Sequence, residues 1–252
     1  MGSTAYITKV LVTGANTGLG WQISKKLATE HKDYHIIMSG RNKDAIEKAV
    51  ADFQSQGLTN VESLVLDLTS DESIADAARA VAERHGRLDV LVNNAGLTSD
   101  NGAPAETDLS REKWDMVFQV NVFGTALVTD AFIPLLERSR AAARRVVFMT
   151  SSLGSIGLRL DRATPWRKAQ FRIYSTSKTA LNMLMAQYAV EREEDPSWKF
   201  NVCCPGHCAT NLNGGKGSED PALGAINACR LATAGIEGET GTFSNRHGPL
   251  PW

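Results

Sequence analysis

The chain has 252 residues, 42% of them hydrophobic, with 27 basic residues against 28 acidic ones. That is enough apolar material for one large core and too little for a membrane protein. The near balance of charge gives neither the basic field of a nucleic-acid binder nor the acidic excess of a disordered tail.

Short β-branched runs alternate with longer amphipathic stretches, the pattern of a parallel sheet covered by helices. The predicted fold class is α/β: one doubly wound, Rossmann-type parallel sheet of about seven strands, helices on both faces, with residues 1–252 forming a single domain. Tyr6–Thr13 reads as the first strand, and Gly18 to about His31 as a helix with Ile23, Leu27 and Ala28 on one face. His35–Ser39 is a strand, Lys43–Gln56 a helix ended by Gly57, and Val61–Asp67 a strand. Asp71 is predicted to cap a helix running to about His85, before a strand at Leu88–Asn93. One long helix is expected over roughly Arg111–Arg138, where Val117, Phe118, Asn121, Leu127, Val128, Phe132 and Leu135 recur near helical spacing. Arg145–Ser151 and Lys199–Cys204 are strands, Tyr174–Glu193 and Pro221–Ala234 helices, and Thr240–Phe243 a last short strand. Polar or Gly- and Pro-rich stretches near 97–110, 153–173 and 207–220 would follow the carboxyl ends of strands, where open α/β sheets bind ligands.

The N-terminus shows no charged segment followed by an apolar run, Gly2 lacks Ser or Thr at position 6, and no uninterrupted apolar run reaches spanning length. A cytoplasmic protein without membrane or nucleic-acid partners is expected. Cys203, Cys204, Cys208 and Cys229 offer no disulfide framework. His207 between Cys204 and Cys208 lacks a second ligand pair at zinc spacing, so no metal is expected.

Thr13-Gly14-Ala15-Asn16-Thr17-Gly18-Leu19-Gly20 lies between the first strand and first helix. Glycines there let the backbone approach a pyrophosphate, and the helix N-terminus offers it free N–H groups. The spacing is G-x-x-x-G-x-G rather than G-x-G-x-x-G, so the strand-before, helix-after context carries the dinucleotide reading. The second strand ends Met38-Ser39-Gly40-Arg41-Asn42, without the acid that would hold a ribose diol. Arg41 instead suits a 2′-phosphate, so NADP(H) is the expected cofactor. Asp67 is placed either to accept from the adenine amino group, with Leu68 adding a backbone contact, or simply to cap a turn.

Tyr174 and Lys178 stand at i and i+4 and so share one helix face. A phenol of pKa about 10 shuttles protons poorly at neutral pH, and a neighbouring ammonium would favour the phenolate. The Thr13–Gly20 turn, Asn93-Asn94-Ala95-Gly96, Asn121, Ser151-Ser152, Tyr174/Lys178 and Pro205-Gly206 occur in that order. Together they resemble the short-chain dehydrogenase/reductase family from about Val10 to Thr210, and within it the NADPH-dependent carbonyl reductases.

The resemblance implies Tyr174 as general acid for ketone or aldehyde reduction. Lys178 would bind the nicotinamide ribose and lower the Tyr174 pKa, Ser152 would hold the substrate carbonyl, and Asn121 would hold a relay water. Gly14, Asn16, Thr17, Gly18, Leu19 and Gly20 would line the pyrophosphate side, and Asn94, Ala95 and Gly96 the adenosine ribose. Pro205, Gly206, Cys208 and Thr210 would flank the nicotinamide. The interval between Ser152 and Tyr174 is longer than in many members, and the extra residues would cover the pocket or block a subunit contact. An alcohol, sterol or polyol dehydrogenase of the same family, or a non-catalytic NADP(H) sensor, are the alternatives. Trp166, Leu153, Leu158 and Leu212 near the pocket suggest an apolar or aromatic carbonyl substrate. Monomer, dimer and tetramer all remain open.

Overall fold

The computed structural model describes residues 6–99, 110–164, 167 and 170–252. Among them, eight strands join one sheet in the order β3-β2-β1-β4-β5-β6-β7-β8. The strands are β1 (Thr8–Val12), β2 (Tyr34–Gly40), β3 (Val61–Val65), β4 (Val90–Asn93), β5 (Arg144–Met149), β6 (Trp198–Cys203), β7 (Thr242–Asn245) and β8 (Gly248–Pro249). All neighbours pair in parallel except the β7–β8 edge, which is antiparallel. This is the doubly wound order, with the expected seven parallel strands and an eighth that the two-residue Gly248–Pro249 segment was too short to announce.

The helices are α1 (Gly18–Glu30), α2 (Lys43–Ser55), α3 (Asp71–His85), α4 (Arg111–Phe118), α5 (Thr125–Glu137), α6 (Ile156–Leu160), α7 (Arg172–Glu191) and α8 (Pro221–Ala232). Parallel strands buried on both faces read as near-continuous apolar runs. In β1, Val10 and Val12 face the layer of α1, α2 and α8, while Leu11 faces that of α3, α5 and α7. Two cores result, one on each side of the sheet. The second is anchored by Phe132, Phe148 and Phe200, each fully buried.

Four local expectations change. The cap of α3 is Ser70, whose Oγ accepts from Ser73 N at 3.2 Å, and Asp71 is the first helical residue. The segment 111–138 is not one regular helix: a π-helical turn, Gln119–Gly124, separates α4 from α5. At 27 residues, Arg111–Glu137 is long and apolar enough by composition to cross a bilayer, contrary to expectation. Its Val117, Val128, Phe132 and Leu136 are instead buried in the core. The last strand is Thr242–Asn245, shifted two residues from the predicted one.

Candidate active site

The turn after β1 is built to admit main chain and nothing else. Gly14 and Gly18 hold φ of 63° and 58°, where L side chains strain. A Cβ on Gly14 would stand 3.0 Å from Ala95 Cα, and one on Gly20 would run into the Gly14 carbonyl and the Asn94 amide. Asn16 lies against the end of β2, its Oδ1 3.2 Å from where a Gly40 Cβ would be. Thr17 precedes α1 without capping it through its side chain, so the first-turn amides keep their capacity for an anion. Leu19 packs on Gly224 of α8.

Thr13, which no spacing signal singles out, ties this turn to the one after β4. Its Oγ accepts from Asn94 N and Ala95 N, both at 2.9 Å. Asn94 Nδ2 donates to Thr13 O at 2.8 Å and Gly14 O at 3.1 Å. The Asn94 side chain therefore locks the two strand-end turns together.

Arg41 is exposed just beyond β2. Of the two readings of Asp67, the structure displays the turn: Oδ1 accepts from Thr69 N at 2.9 Å and Thr69 Oγ at 2.7 Å. Those bonds, with the charge of Arg41 adding to them, hold its carboxyl below the usual range. Leu68 is buried, and its carbonyl lies against Gly124 of the π turn.

Tyr174 and Lys178 sit one turn apart on α7, the ammonium 5.6 Å from the phenol ring centre. Lys178 is 3% exposed and donates to Met149 O at 2.8 Å. Burial lowers its pKa to about 8. The phenol moves opposite to expectation: burial pushes it up, and the nearby Cys204 adds to this. Desolvation outweighs the opposing hydrogen bond, so Tyr174 stays a protonated donor.

A side-chain hydrogen bond from Ser151 acts on the phenol and opposes the rise in its pKa, while Ser152, the serine expected to hold the substrate, lines the adjoining cavity. Ser152 donates its N–H to Cys204 Sγ at 3.1 Å. Ser151 is still extended, at φ −153° and ψ 150°, while Ser152 opens a 3-10 turn. Adjacent hydroxyls on either side of such a break point differently, which a Ser-Ser pair in sequence does not reveal.

Asn121 belongs to the π turn and is fully buried. Its Oδ1 accepts from Leu97 N, and its Nδ2 donates to Leu97 O and Ser177 Oγ, at 2.9, 2.9 and 3.0 Å. The side chain is thus spent on fixing the segment after Gly96. A Cβ on Gly96 would fall 3.2 Å from Asn121 Oδ1 and 3.3 Å from Lys178 Nζ, so the glycine lets the chain pass both.

On the far side, Pro205 and Gly206 (φ 87°) follow β6. Cys208 is buried with its thiol donating to Pro205 O at 3.3 Å, close against Gly224. Its side chain faces α8 and leaves only backbone for a ligand. Thr210 stands across from Gly18, 3.6 Å from that residue's notional Cβ, and so closes the glycine turn from above.

A cavity of about 310 Å³ adjoins these groups, lined by Ser152, Cys204, Leu158, His207 and Leu250, among others. Glu219 and Arg246 in its wall pair at 2.5 Å. Of the apolar residues expected here, Leu158 lines the cavity, while Trp166 and residues 100–109 lie outside the described residues. The contribution of Asn245–His247 was not anticipated. After Ser152 the chain forms α6, held by the C-terminal tail: Ser155 Oγ donates to Pro251 O at 2.7 Å and Gly157 N to Trp252 O at 2.6 Å. The four cysteines are free and buried, as small apolar strand-end residues would be.

The profile of the family described as short chain dehydrogenase matches residues 8–221. Short-chain dehydrogenase anuI of Penicillium roqueforti is 38% identical over 235 residues, covering 92% of this chain and 91% of that protein. Short-chain dehydrogenase/reductase eupG of a Phoma species is 38% identical, covering 86% and 84%. Among solved structures, an NADPH-bound carbonyl reductase from chicken fatty liver superposes with a TM-score of 0.81 at 24% identity, covering 98% and 99%. An archaeal alcohol dehydrogenase from Thermococcus sibiricus, complexed with 5-hydroxy-NADP, gives 0.76 at 25%, covering 95% of each chain.

Proposed function

The chain belongs to the short-chain dehydrogenase family, and from that membership we propose that it is an NADP(H)-dependent oxidoreductase that reduces the carbonyl of a small-molecule ketone or aldehyde. The observation that carries this is the meeting of Ser151, Tyr174 and Lys178 at the carboxyl ends of β5 and β6, beside a glycine turn with no room for a Cβ at Gly14 or Gly20.

The residues fit a phosphorylated dinucleotide. The turn after β1 has no room for a Cβ at Gly14 or Gly20, the N-terminus of α1 lacks a side-chain cap, and residue 41 is an exposed cation where a diol-binding site would carry an acid. When bound there, the dinucleotide supplies the hydride. Gly14–Gly20 and Thr210 hold its pyrophosphate side, and Arg41 meets the 2′-phosphate. Asp67, whose turn bonds use only Oδ1, and Leu68 would stand at the adenine, and Asn94 to Gly96 at the adenosine ribose. Lys178 binds the nicotinamide ribose, with the main chain of Pro205, Gly206 and Cys208 at the nicotinamide.

The protein's own work is electrostatic. Negative charge grows on the substrate oxygen during reduction, and preorganised donors in a dry site stabilise it. Ser151 and Tyr174 are those donors, and Tyr174 delivers its proton to that oxygen. The raised pKa of the buried phenol keeps that proton in place until then. Lys178 stands ready to restore it. The Asn121 amide is committed to Leu97 and Ser177, so it acts by fixing the segment beside Lys178. The cavity wall offers apolar Leu158 and Leu250 along with Glu219, Arg246 and two histidines, so the substrate joins an apolar body to polar substituents. Free thiols throughout agree with a cytoplasmic setting.

Replacing Tyr174 by Phe tests this. Reduction of a panel of ketones and aldehydes should fall by about 10²–10⁴-fold, while NADPH still binds with unchanged affinity by fluorescence titration. A variant that turns over normally would remove Tyr174 from the chemistry. A natural chain inert across the panel would favour a sensor.

A further inference from the structure

At the opposite end of the sheet from the cleft, His35, Glu62 and His85 converge. His35 is the second residue of β2, Glu62 the second of β3, and His85 the last of α3. The strand pairing puts His35 and Glu62 on the face that α3 covers, the side of Ile37 and Leu64. We propose that these three side chains form a binding site for a zinc-type divalent transition-metal ion.

The geometry supports this at two points. Ligating atoms of all three residues lie within 4.8 Å of one another. Glu62 Oε1 is 2.6 Å from His85 Nε2, and Glu62 Oε2 is 3.5 Å from His35 Nε2. Around a tetrahedral ion with Zn–N and Zn–O of about 2.0–2.2 Å, ligand atoms stand roughly 3.4 Å apart. Closing the longest separation and opening the shortest takes about 1 Å of side-chain movement. Two imidazoles bound through Nε2 to such an ion have ring centres about 5 Å apart; these are 5.3 Å apart.

The second point is His35 Nε2, a buried atom without a hydrogen-bond partner, aimed at the Glu62 carboxylate. An unsatisfied buried polar atom costs about 1–3 kcal/mol. One ion between the three residues satisfies it together with the His85 nitrogen and one carboxylate oxygen.

Two neutral imidazoles and one carboxylate select zinc-class ions over magnesium or calcium, which prefer all-oxygen shells. Lys9, the register partner of His35 on β1, interacts electrostatically with Glu62, Arg87 and Asp89. These two cations oppose a dication held by charge alone, so affinity must come from the imidazoles. Three protein ligands and partial exposure, 10–25% for these side chains, leave a fourth position for water. The ion would tie the C-terminus of α3 to the β2–β3 edge.

The test uses tag-free full-length protein stripped with chelator, dialysed against zinc chloride and assayed by mass spectrometry for bound metal. One zinc per chain is expected, lost in both His35→Gln and His85→Gln and kept in Cys204→Ser and Cys208→Ser. Zinc should raise the melting temperature of the natural chain and of neither histidine variant. Retention unchanged in both histidine variants, or no stoichiometric zinc at all, overturns the site. Should a histidine variant not fold, cobalt(II) bound to the natural chain decides. Tetrahedral visible bands without thiolate charge transfer support the site, and a thiolate band assigns the ion to the cysteines and refutes it.

Discussion

At the residue scale, the informative detail is which of two adjacent hydroxyls faces the phenol. Ser151 bonds Tyr174, and Ser152 gives its N–H to the Cys204 sulfur. Losing one oxyanion donor typically costs about 10²–10³ in kcat. Ser151→Ala should therefore lower kcat by that order and Ser152→Ala by much less. Steady-state kinetics on both variants with one substrate checks this, and the reverse ranking would restore Ser152. Lys178 carries a second prediction. Burial sets its pKa at about 8, so its charge, which the ribose contact needs, is lost as pH rises through that value. The kcat/KM for NADPH should fall with pH above about 8, and Lys178→Arg should move the fall upward. A profile flat to pH 10 would contradict the charged role. Tyr174 and Lys178 were legible because i, i+4 spacing on a helix fixes a shared face whatever the surroundings. The sign of the phenol's shift was not, because it depends on how much water the folded cleft excludes.

At the element scale, alternating short apolar runs and amphipathic stretches disclosed nearly every strand and helix, since burial on both faces of a parallel sheet leaves a direct mark on sequence. The π turn left no such mark. Val117, Val128 and Phe132 keep helical spacing on both sides of it, and one extra residue per turn disturbs periodicity less than a loop does. It brings Asn121 to Leu97 and Gly124 against the Leu68 carbonyl. A Cβ at 124 would overlap backbone, and forced overpacking costs about 1–3 kcal/mol. Gly124→Ala should lower stability by that amount in urea melts and disturb the active site through Asn121. An unchanged midpoint would show that the turn relaxes freely. The caps tell a similar story: Ser70 and Asp71 are both good N-cap residues, and only the observed Ser70–Ser73 bond chooses between them.

At the scale of the whole molecule, the two ends of the sheet do different work. The carboxyl ends of the strands carry the glycine turn, the serine–tyrosine pair and the cavity. The amino ends carry fully buried Asp89, which accepts from Tyr6 OH, Lys9 N and Ser139 Oγ at 2.5, 2.7 and 2.6 Å. Order of motifs along the chain pointed to the first end, because four of the six motifs follow a strand. It said nothing of the second, where partners lie some 50 to 83 positions apart. The Glu219–Arg246 pair acts across a shorter span of 27 positions, joining the 207–220 segment to the turn between β7 and β8. One partly exposed clasp thus fastens a doorway to the cavity, and dissolved salt weakens such clasps. If traffic through that doorway limits turnover, kcat should climb with ionic strength in the natural chain and stay level in Arg246→Met. A level response in both would mean the doorway swings freely, faster than the chemistry it admits.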